Sequence, residues 1–141
     1  MIRKRFWLVA SPVLVLLASA AFAEDEMKCN PEGTQAEMNI CAWDDFQKAD
    51  DELNAVYKKA MAFAREQDQS YADQPNLKGA VAALKKAQRA WIDYRDGHCE
   101  GVGFSARGGS MEPMLVAGCQ EELTKKRTAD LKALMEDGGD Q

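Results

Sequence analysis

The sequence contains little of the chemistry on which most enzymes depend. It has one histidine, His98, and it lacks the Gly-x-Ser-x-Gly, His-Glu-x-x-His and phosphate-loop patterns of common catalytic sites. No stretch alternates with a period of two, so no sheet is predicted. The four cysteines could form disulfides or bind zinc. They include no Cys-x-x-Cys pair, which disfavours a zinc site. We therefore predict no catalytic residue, no metal and no cofactor.

The sequence disfavours two catalytic alternatives, a Cys–His nucleophile and a glycosidase. A Cys–His nucleophile would need a free thiol of lowered pKa beside His98, but the neighbouring Cys99 is expected to be oxidised. A glycosidase needs two carboxyl groups facing each other across a cleft, and a thin helical bundle offers little cleft. We interpret the acidic run over residues 50–52 as a solvated face and His98 as a residue near a helix end.

Residues 1–23 have the three parts of a secretory signal peptide. Three basic residues precede an apolar segment over 6–19, and an Ala-Phe-Ala sequence ending at Ala23 supplies the small residues of a cleavage site. The apolar segment is shorter than the roughly 20 residues that span a membrane, which disfavours a retained anchor. We predict a periplasmic or secreted domain over 24–141, with no stable membrane insertion after cleavage.

The chain is acidic, with 23 acidic and 18 basic side chains and a net charge of −5. Removal of the signal would take away three of the basic residues and none of the acidic ones. This charge disfavours nucleic acid as a partner. It suits a basic protein partner, because opposite charge speeds encounter. The alternative is that acidity only keeps an exported domain soluble.

Helical periodicity predicts an all-α fold, a small antiparallel bundle of three helices stapled by two disulfides. The first helix begins at Thr34, which forms a capping box with Glu37, and runs to about residue 66. Its apolar positions follow at steps of three and four. They are Met38, Ala42, Phe46, Ala49, Leu53, Val56, Ala60 and Phe63.

The second helix is predicted over 77–98, ended by Gly97. The third follows the N-cap Ser110 and ends in a frayed tail over 136–141. Residues 100–109, with four glycines, are predicted to form a loop. The positions expected to face the core are Ala80, Val81, Leu84, Ala87, Gln88, Trp91 and Tyr94 in the second helix, and Leu115, Cys119, Leu123, Leu131 and Leu134 in the third.

Trp91, Tyr94 and Arg95 form a candidate structural motif in the second helix. Trp91 and Tyr94 fall on the predicted inner face, where core packing is favoured over partner binding. Arg95 lies one step around the helix. We expect it to form a partly buried ion pair with Asp96 or with an acid of the first helix, which would fix the register of the two helices.

The cysteines are predicted to form two disulfides, because they follow an export signal and are even in number. Three pairings of Cys29, Cys41, Cys99 and Cys119 are possible. Cys29–Cys41 and Cys99–Cys119 are favoured because each closes a local loop, worth about 3 kcal/mol in the chain-entropy model. In an antiparallel bundle all four cysteines would collect at one end.

Four residues near that end are candidates for partner binding. Phe104 and Arg107 lie in the predicted loop between Cys99 and Cys119, and restraining a loop lowers the entropy lost on binding. The alternative is a plain connector. Trp43 and Ile40 lie off the main apolar stripe, where they either cover the disulfides or form part of a contact patch.

The order of these residues resembles the LprI-type lysozyme inhibitor family, long catalogued as a domain of unknown function. The match covers nearly all of the predicted mature chain. It consists of Cys29, Thr-Gln-Ala-Glu-Met-Asn-Ile-Cys over 34–41, Leu-Asn-Ala-Val-Tyr over 53–57, Ala-Gln-Arg-Ala-Trp-Ile-Asp-Tyr-Arg-Asp over 87–96, Cys99, Gly-Gly-Ser over 108–110, Cys119, residues 124–127 and Leu131.

The resemblance implies a small, helical, secreted or periplasmic binding protein with no catalytic residue. Some members of the family inhibit c-type lysozyme, so the expected activity is occlusion of a basic c-type lysozyme. The alternative is a module of the cell envelope that binds a different protein target. The longer members of the family carry a lipid anchor or a further C-terminal domain, and neither is seen in this sequence.

Overall fold

A computed structural model describes residues 27–137 as three helices. They are α1 (Gln35–Ser70), α2 (Ala80–Gly103) and α3 (Glu112–Asp137), with 3₁₀ turns at Pro75–Leu77 and Phe104–Ala106. No strand occurs within residues 27–137, and the predicted all-α bundle is confirmed. None of these helices is long and apolar enough to cross a membrane. The predicted signal peptide lies outside the described residues.

Two predicted helix ends are wrong, because both helices continue further. α1 extends to Ser70 rather than residue 66. α2 passes through Gly97 and ends at Gly103, so the first part of the predicted loop over 100–109 is helical. A glycine ends a helix by adopting a left-handed conformation, and Gly97 has no positive φ. The buried Cys99 and Gly103, one turn apart, keep this last part of α2 packed.

The third helix also differs at both ends from the prediction. α3 begins at Glu112, so Ser110 lies two residues before it and is not the N-cap. A turn closed by the Glu112 N–H donating to the Gly109 carbonyl (3.2 Å) precedes the helix. Residues 136 and 137, the start of the predicted frayed tail, are helical. The remainder of that tail, 138–141, lies outside the described residues.

Contacts between the helices establish an up-down-up arrangement. Arg95 of α2 donates to Asp50 of α1 (3.0 Å) and approaches Thr124 of α3 (3.5 Å), so these three residues lie at one level of the bundle. Asn39 of α1 donates to the Ser110 carbonyl, just before α3 (2.9 Å). Because residue numbers rise together in α1 and α3 across these contacts, the two helices run parallel, with α2 antiparallel to both.

The apolar core lies on the side of Arg95 away from the disulfides. Leu53 and Leu131 are almost fully buried there, and burying such a side chain contributes about 1.5–3 kcal/mol. The cluster consists of Leu53, Val56, Ala60, Met61, Ala64, Leu84 and Leu131. The predicted inner face of α1 is therefore confirmed over its central turns.

The inner faces of α2 and α3 match their predicted positions only in part, with Leu84, Gln88 and Leu131 buried as expected. Tyr94 and Leu134 are exposed at 56% and 49%, and Ala87 is exposed as well. Three buried polar residues, Arg95, Thr124 and Thr128, lie outside the predicted inner faces, whereas the polar Gln88 is buried as predicted. Each can be buried because its polar atoms find partners, since no buried side-chain nitrogen or oxygen among the side chains described in residues 27–136 lacks one. The Thr128 hydroxyl, for example, donates to the Thr124 carbonyl (3.0 Å).

Carboxylates satisfy the exposed N–H groups at two helix starts. The predicted capping box is present, with Thr34 and Glu37 each accepting from the backbone N–H of the other. Asp68, near the end of α1, accepts from Gly79 (2.7 Å) and Ala80 (2.9 Å) at the start of α2. These backbone N–H groups lower the pKa of Asp68. One side chain thus joins the end of α1 to the start of α2.

Candidate functional site

Both disulfides lie on the same side of the Arg95 level, and they join the pairs that the sequence favours. Cys29 is bonded to Cys41, which ties the lead-in to the start of α1. Cys99 is bonded to Cys119, which ties the last part of α2 to α3. We call this part of the bundle, residues 27–49 and 96–123, the disulfide end. Residues 51–94 and 125–137 form the far end.

The connection from α2 to α3 is held by its own side chains. The Arg107 guanidinium lies over the Phe104 ring, 4.5 Å from its centroid, and Nη1 of Arg107 donates to Glu112 Oε1 (2.7 Å). The second oxygen of Glu112 accepts from the Gly108 N–H (2.8 Å). Gly108 has φ +77°, a conformation that glycine adopts without strain. The predicted binding residues Phe104 and Arg107 thus contact each other, and both are exposed.

Trp43 forms one wall of an open groove between α1 and the start of α3. Its side chain is 52% exposed, and its ring lies 5.4 Å from the ring of Phe46. The groove has a volume of about 290 Å³, and Glu112, Pro113 and Val116 are among its other walls. An exposed tryptophan beside an apolar groove is a feature of protein-binding surfaces.

Glu112 lies between the Trp43 groove and the exposed pair of Phe104 and Arg107. It binds Arg107 on one side and lines the Trp43 groove on the other. Ile40 is half-buried and is not one of the residues that line this groove. Sequence reasoning missed Pro113 and Val116 as groove walls, because they become neighbours of Trp43 only when α3 packs beside α1. The role of these residues in binding stays a prediction.

Arg95 is the centre of the predicted structural motif. Its guanidinium lies between the rings of Phe46 and Trp91, with 5.1 Å to each centroid. Its nitrogens bind Asp50 (3.0 Å) and Asp96 (2.8 Å), while the Arg95 side chain is only 10% exposed. Cation–π contacts and two carboxylates compensate the loss of water around the guanidinium. Both of the expected carboxylate partners are therefore present at once.

Tyr94, the third residue of the predicted motif, lies away from the contacts of Arg95 and pairs with His98 instead. They stack on the outside of α2, with 5.4 Å between ring centroids, and both are exposed. Cys99, beside His98, is fully buried and bonded to Cys119. The thiol that a Cys–His nucleophile needs is therefore occupied by a disulfide.

Charge is distributed unevenly between the two ends of the bundle. The disulfide end carries nine acidic and three basic side chains, whereas the far end carries nine acidic and eleven basic ones. Hydrogen bonds lower the pKa of particular acids of the disulfide end. The N–H of Gly108 lowers the pKa of Glu112, and Lys48 lowers the pKa of Asp45. The disulfide end is therefore the part of the molecule that attracts cations.

A comparison with protein families finds one family whose model covers most of the chain. Residues 27–131 match the family model described as Lysozyme inhibitor LprI. The chain belongs to this family. The matched region spans all four cysteines, the Arg95 motif and the Trp43 groove.

Two curated relatives carry no assigned function in their names. Uncharacterized protein R02472 of Rhizobium meliloti (strain 1021) is 52% identical over an alignment of 132 residues, and the match covers 90% of this chain and 95% of that protein. Uncharacterized protein YecT of Escherichia coli (strain K12) is 26% identical over an alignment of 103 residues, and the match covers 62% of this chain and 63% of that protein. No solved structure matches the chain.

Proposed function

We propose that this protein is an exported inhibitor that binds a basic c-type lysozyme through its disulfide end and occludes the substrate cleft. The observation that carries the proposal is the match of residues 27–131 to the lysozyme inhibitor family. The two disulfides support export, because such bonds persist in oxidising compartments outside the cytoplasm. We place the protein in the periplasm, with the predicted signal peptide removed.

The charge of the disulfide end supports a basic partner. An excess of six negative charges at one end orients the approach of a positively charged enzyme. This attraction acts mainly on the rate of encounter. It weakens as salt is raised, because the ions screen the exposed charges. We assign direct contact with the enzyme to the apolar features of the disulfide end, above all the Trp43 groove and the exposed ring of Phe104.

Inhibition by occlusion requires no catalytic group in the inhibitor. The groove walls and the α2–α3 connection are held by Cys99–Cys119 and by the contacts of Glu112. A surface that is ordered before binding loses less conformational entropy in the complex. This arrangement favours a rigid surface that docks against the enzyme over a flexible segment that folds on contact.

The test is a lysis assay with Micrococcus cells, a c-type lysozyme and the mature, disulfide-intact protein. We expect protection at a severalfold molar excess, with weaker protection as salt is raised. Absence of protection would exclude inhibition of this enzyme class. A parallel pull-down from periplasmic extract that recovers another protein instead of a muramidase would favour the alternative, an envelope module with a different target.

A matched pair of variants locates the contact surface. Trp43→Ala removes the exposed ring of the groove and should weaken inhibition at least about thirtyfold if Trp43 is an interface hot spot. Tyr71→Ala removes an exposed aromatic ring from the far end, where 42% of the residue is exposed, and should inhibit like the unmodified protein. Equal inhibition by the two variants would contradict the proposed surface while leaving the inhibitor function intact.

A further inference from the structure

The far end carries a groove that the proposed inhibitor function does not use. It lies between all three helices and has a volume of about 310 Å³, at the lower limit of pockets that hold small molecules. The walls are mostly apolar. They include Phe63 of α1, Ala80, Ala83 and Leu84 of α2, and Leu134 and Arg127 of α3.

The groove is charged at one extremity and mostly apolar along the rest, where the neutral Gln67 is its one polar wall. Arg127 lies toward the middle of the bundle, where its Nε donates to Oε1 of the buried Gln88 (3.1 Å). Ala80 and Leu134 lie further from the middle, since α2 and α3 are antiparallel. Seven residues separate Arg127 from Leu134, which is about 10 Å along a helix. The groove thus has the length and the polarity of a small amphiphile.

Arg127 is the half-buried cation of this groove, and its protein partner is neutral. No carboxylate among the side chains described in residues 27–136 lies within 4.0 Å of it. Arg95, by contrast, binds two carboxylates. A guanidinium has several N–H donors in a planar fork that matches a carboxylate, and Gln88 accepts from only one of its nitrogens.

We propose that this groove binds the free anion of a medium-chain fatty acid. The carboxylate binds the Arg127 guanidinium, and the acyl chain lies along Ala83 and Ala80 toward Leu134. The alanines leave room for the chain because they carry only a methyl group. The excess of basic residues at the far end favours the anion over a neutral lipid. The assignment is independent of lysozyme inhibition.

The first test is isothermal titration of the mature, disulfide-intact protein with decanoate and with decanol. Decanoate should bind saturably at one site. Decanol should bind about tenfold more weakly, because it lacks the charge that pairs with Arg127. Shortening the acid to octanoate should weaken binding by about two- to fourfold for each methylene removed. No saturable binding, or equal affinity for decanoate and decanol, would overturn the proposal.

Three variants assign the binding to this groove. Arg127→Gln should abolish the preference for decanoate over decanol, whereas Lys126→Gln, which removes the neighbouring charge outside the groove walls, should keep it. Ala83→Trp adds a large side chain at an exposed wall position and should abolish the binding of both ligands. Circular dichroism confirms that each variant is folded. An unchanged preference in Arg127→Gln, or unchanged decanoate binding in Ala83→Trp, would refute the assignment.

Discussion

Replacing Gly97 by alanine distinguishes two descriptions of the second helix. If the helix ended at Gly97, the glycine would be left-handed, and alanine would cost about 1–2 kcal/mol. In the structure Gly97 lies inside α2 without a positive φ, and a Cβ atom there would meet nothing within 4 Å. Alanine should then stabilise the protein by about 0.5–1 kcal/mol, because glycine loses more backbone entropy in a helix.

Gly103 provides the matched comparison in the last turn of the same helix. A Cβ atom at Gly103 would lie 2.5 Å from Cγ2 of Val116 and 3.4 Å from Cγ of Glu112. Because valine is stiff at χ1 in a helix, the end of α2 or the start of α3 would have to move. Such overpacking costs about 1–3 kcal/mol. Gly103→Ala should therefore destabilise the protein, opposite in sign to Gly97→Ala.

Urea denaturation of the disulfide-intact mature protein, followed by far-ultraviolet circular dichroism, measures both changes. The free energies of unfolding of Gly97→Ala and Gly103→Ala should differ by about 1.5–4 kcal/mol. Gly101→Ala is a second control, since a Cβ atom there also meets nothing within 4 Å. Loss of stability in Gly97→Ala, or equal stability of Gly101→Ala and Gly103→Ala, would refute this description of α2.

Three further predictions concern the polar and covalent contacts. Arg95→Ala should cost about 2–4 kcal/mol in urea denaturation, less than the loss of a fully buried pair, because Asp50 stays 32% exposed. Asp68→Ala should destabilise the protein at neutral pH. Backbone N–H groups lower the pKa of Asp68 in the folded protein. Its contribution to folding stability is therefore present above the ordinary pKa of about 3.9 and is lost as pH falls through the lower folded pKa. In thermal unfolding, the melting temperatures of the two proteins should converge in acid. Replacing Cys29 and Cys41 together by serine should cost about 3 kcal/mol in the chain-entropy model, measured by urea denaturation under non-reducing conditions.

Local sequence signals predicted the parts of the fold that depend on local geometry. The capping box needs only Thr34 and Glu37, three residues apart, and it forms as expected. Each disulfide closes a local loop, as expected, with its two cysteines 12 or 20 residues apart in the sequence. In both cases the interacting groups lie close in the chain, so knowledge of the packing of the helices is not needed to pair them.

The faces of α2 and α3 could not be predicted in the same way. An apolar stripe assigns Tyr94 and Leu134 to the core, whereas the structure exposes both and buries Arg95, Thr124 and Thr128. The burial of Arg95 depends in part on Asp50, which is distant in the sequence and lies opposite it. The sequence does contain a signal of this contact, since an acid of the first helix is an expected partner of Arg95. It contains no signal that the contact outweighs the apolar pattern.

The candidate site was predicted only in part, for a related reason. Trp43 is recognisable as an apolar residue off the main stripe, and Phe104 as an apolar residue beside glycines. The groove beside Trp43 also needs Pro113 and Val116, which come from another helix. A helix pattern can show that a side chain is exposed, but it cannot show which neighbour gives the exposed surface its shape.

The position of the disulfides has a consequence for how an inhibitor of this kind would work. The apolar core lies on one side of Arg95, while both disulfides lie on the other. The disulfide end therefore holds its shape with fewer large buried side chains and can keep Trp43 and Phe104 exposed. Because covalent bonds replace part of the apolar burial, exposed rings remain available for a partner without loss of the local fold. The same division leaves the far end, with its Arg127 groove, accessible while the disulfide end is occupied.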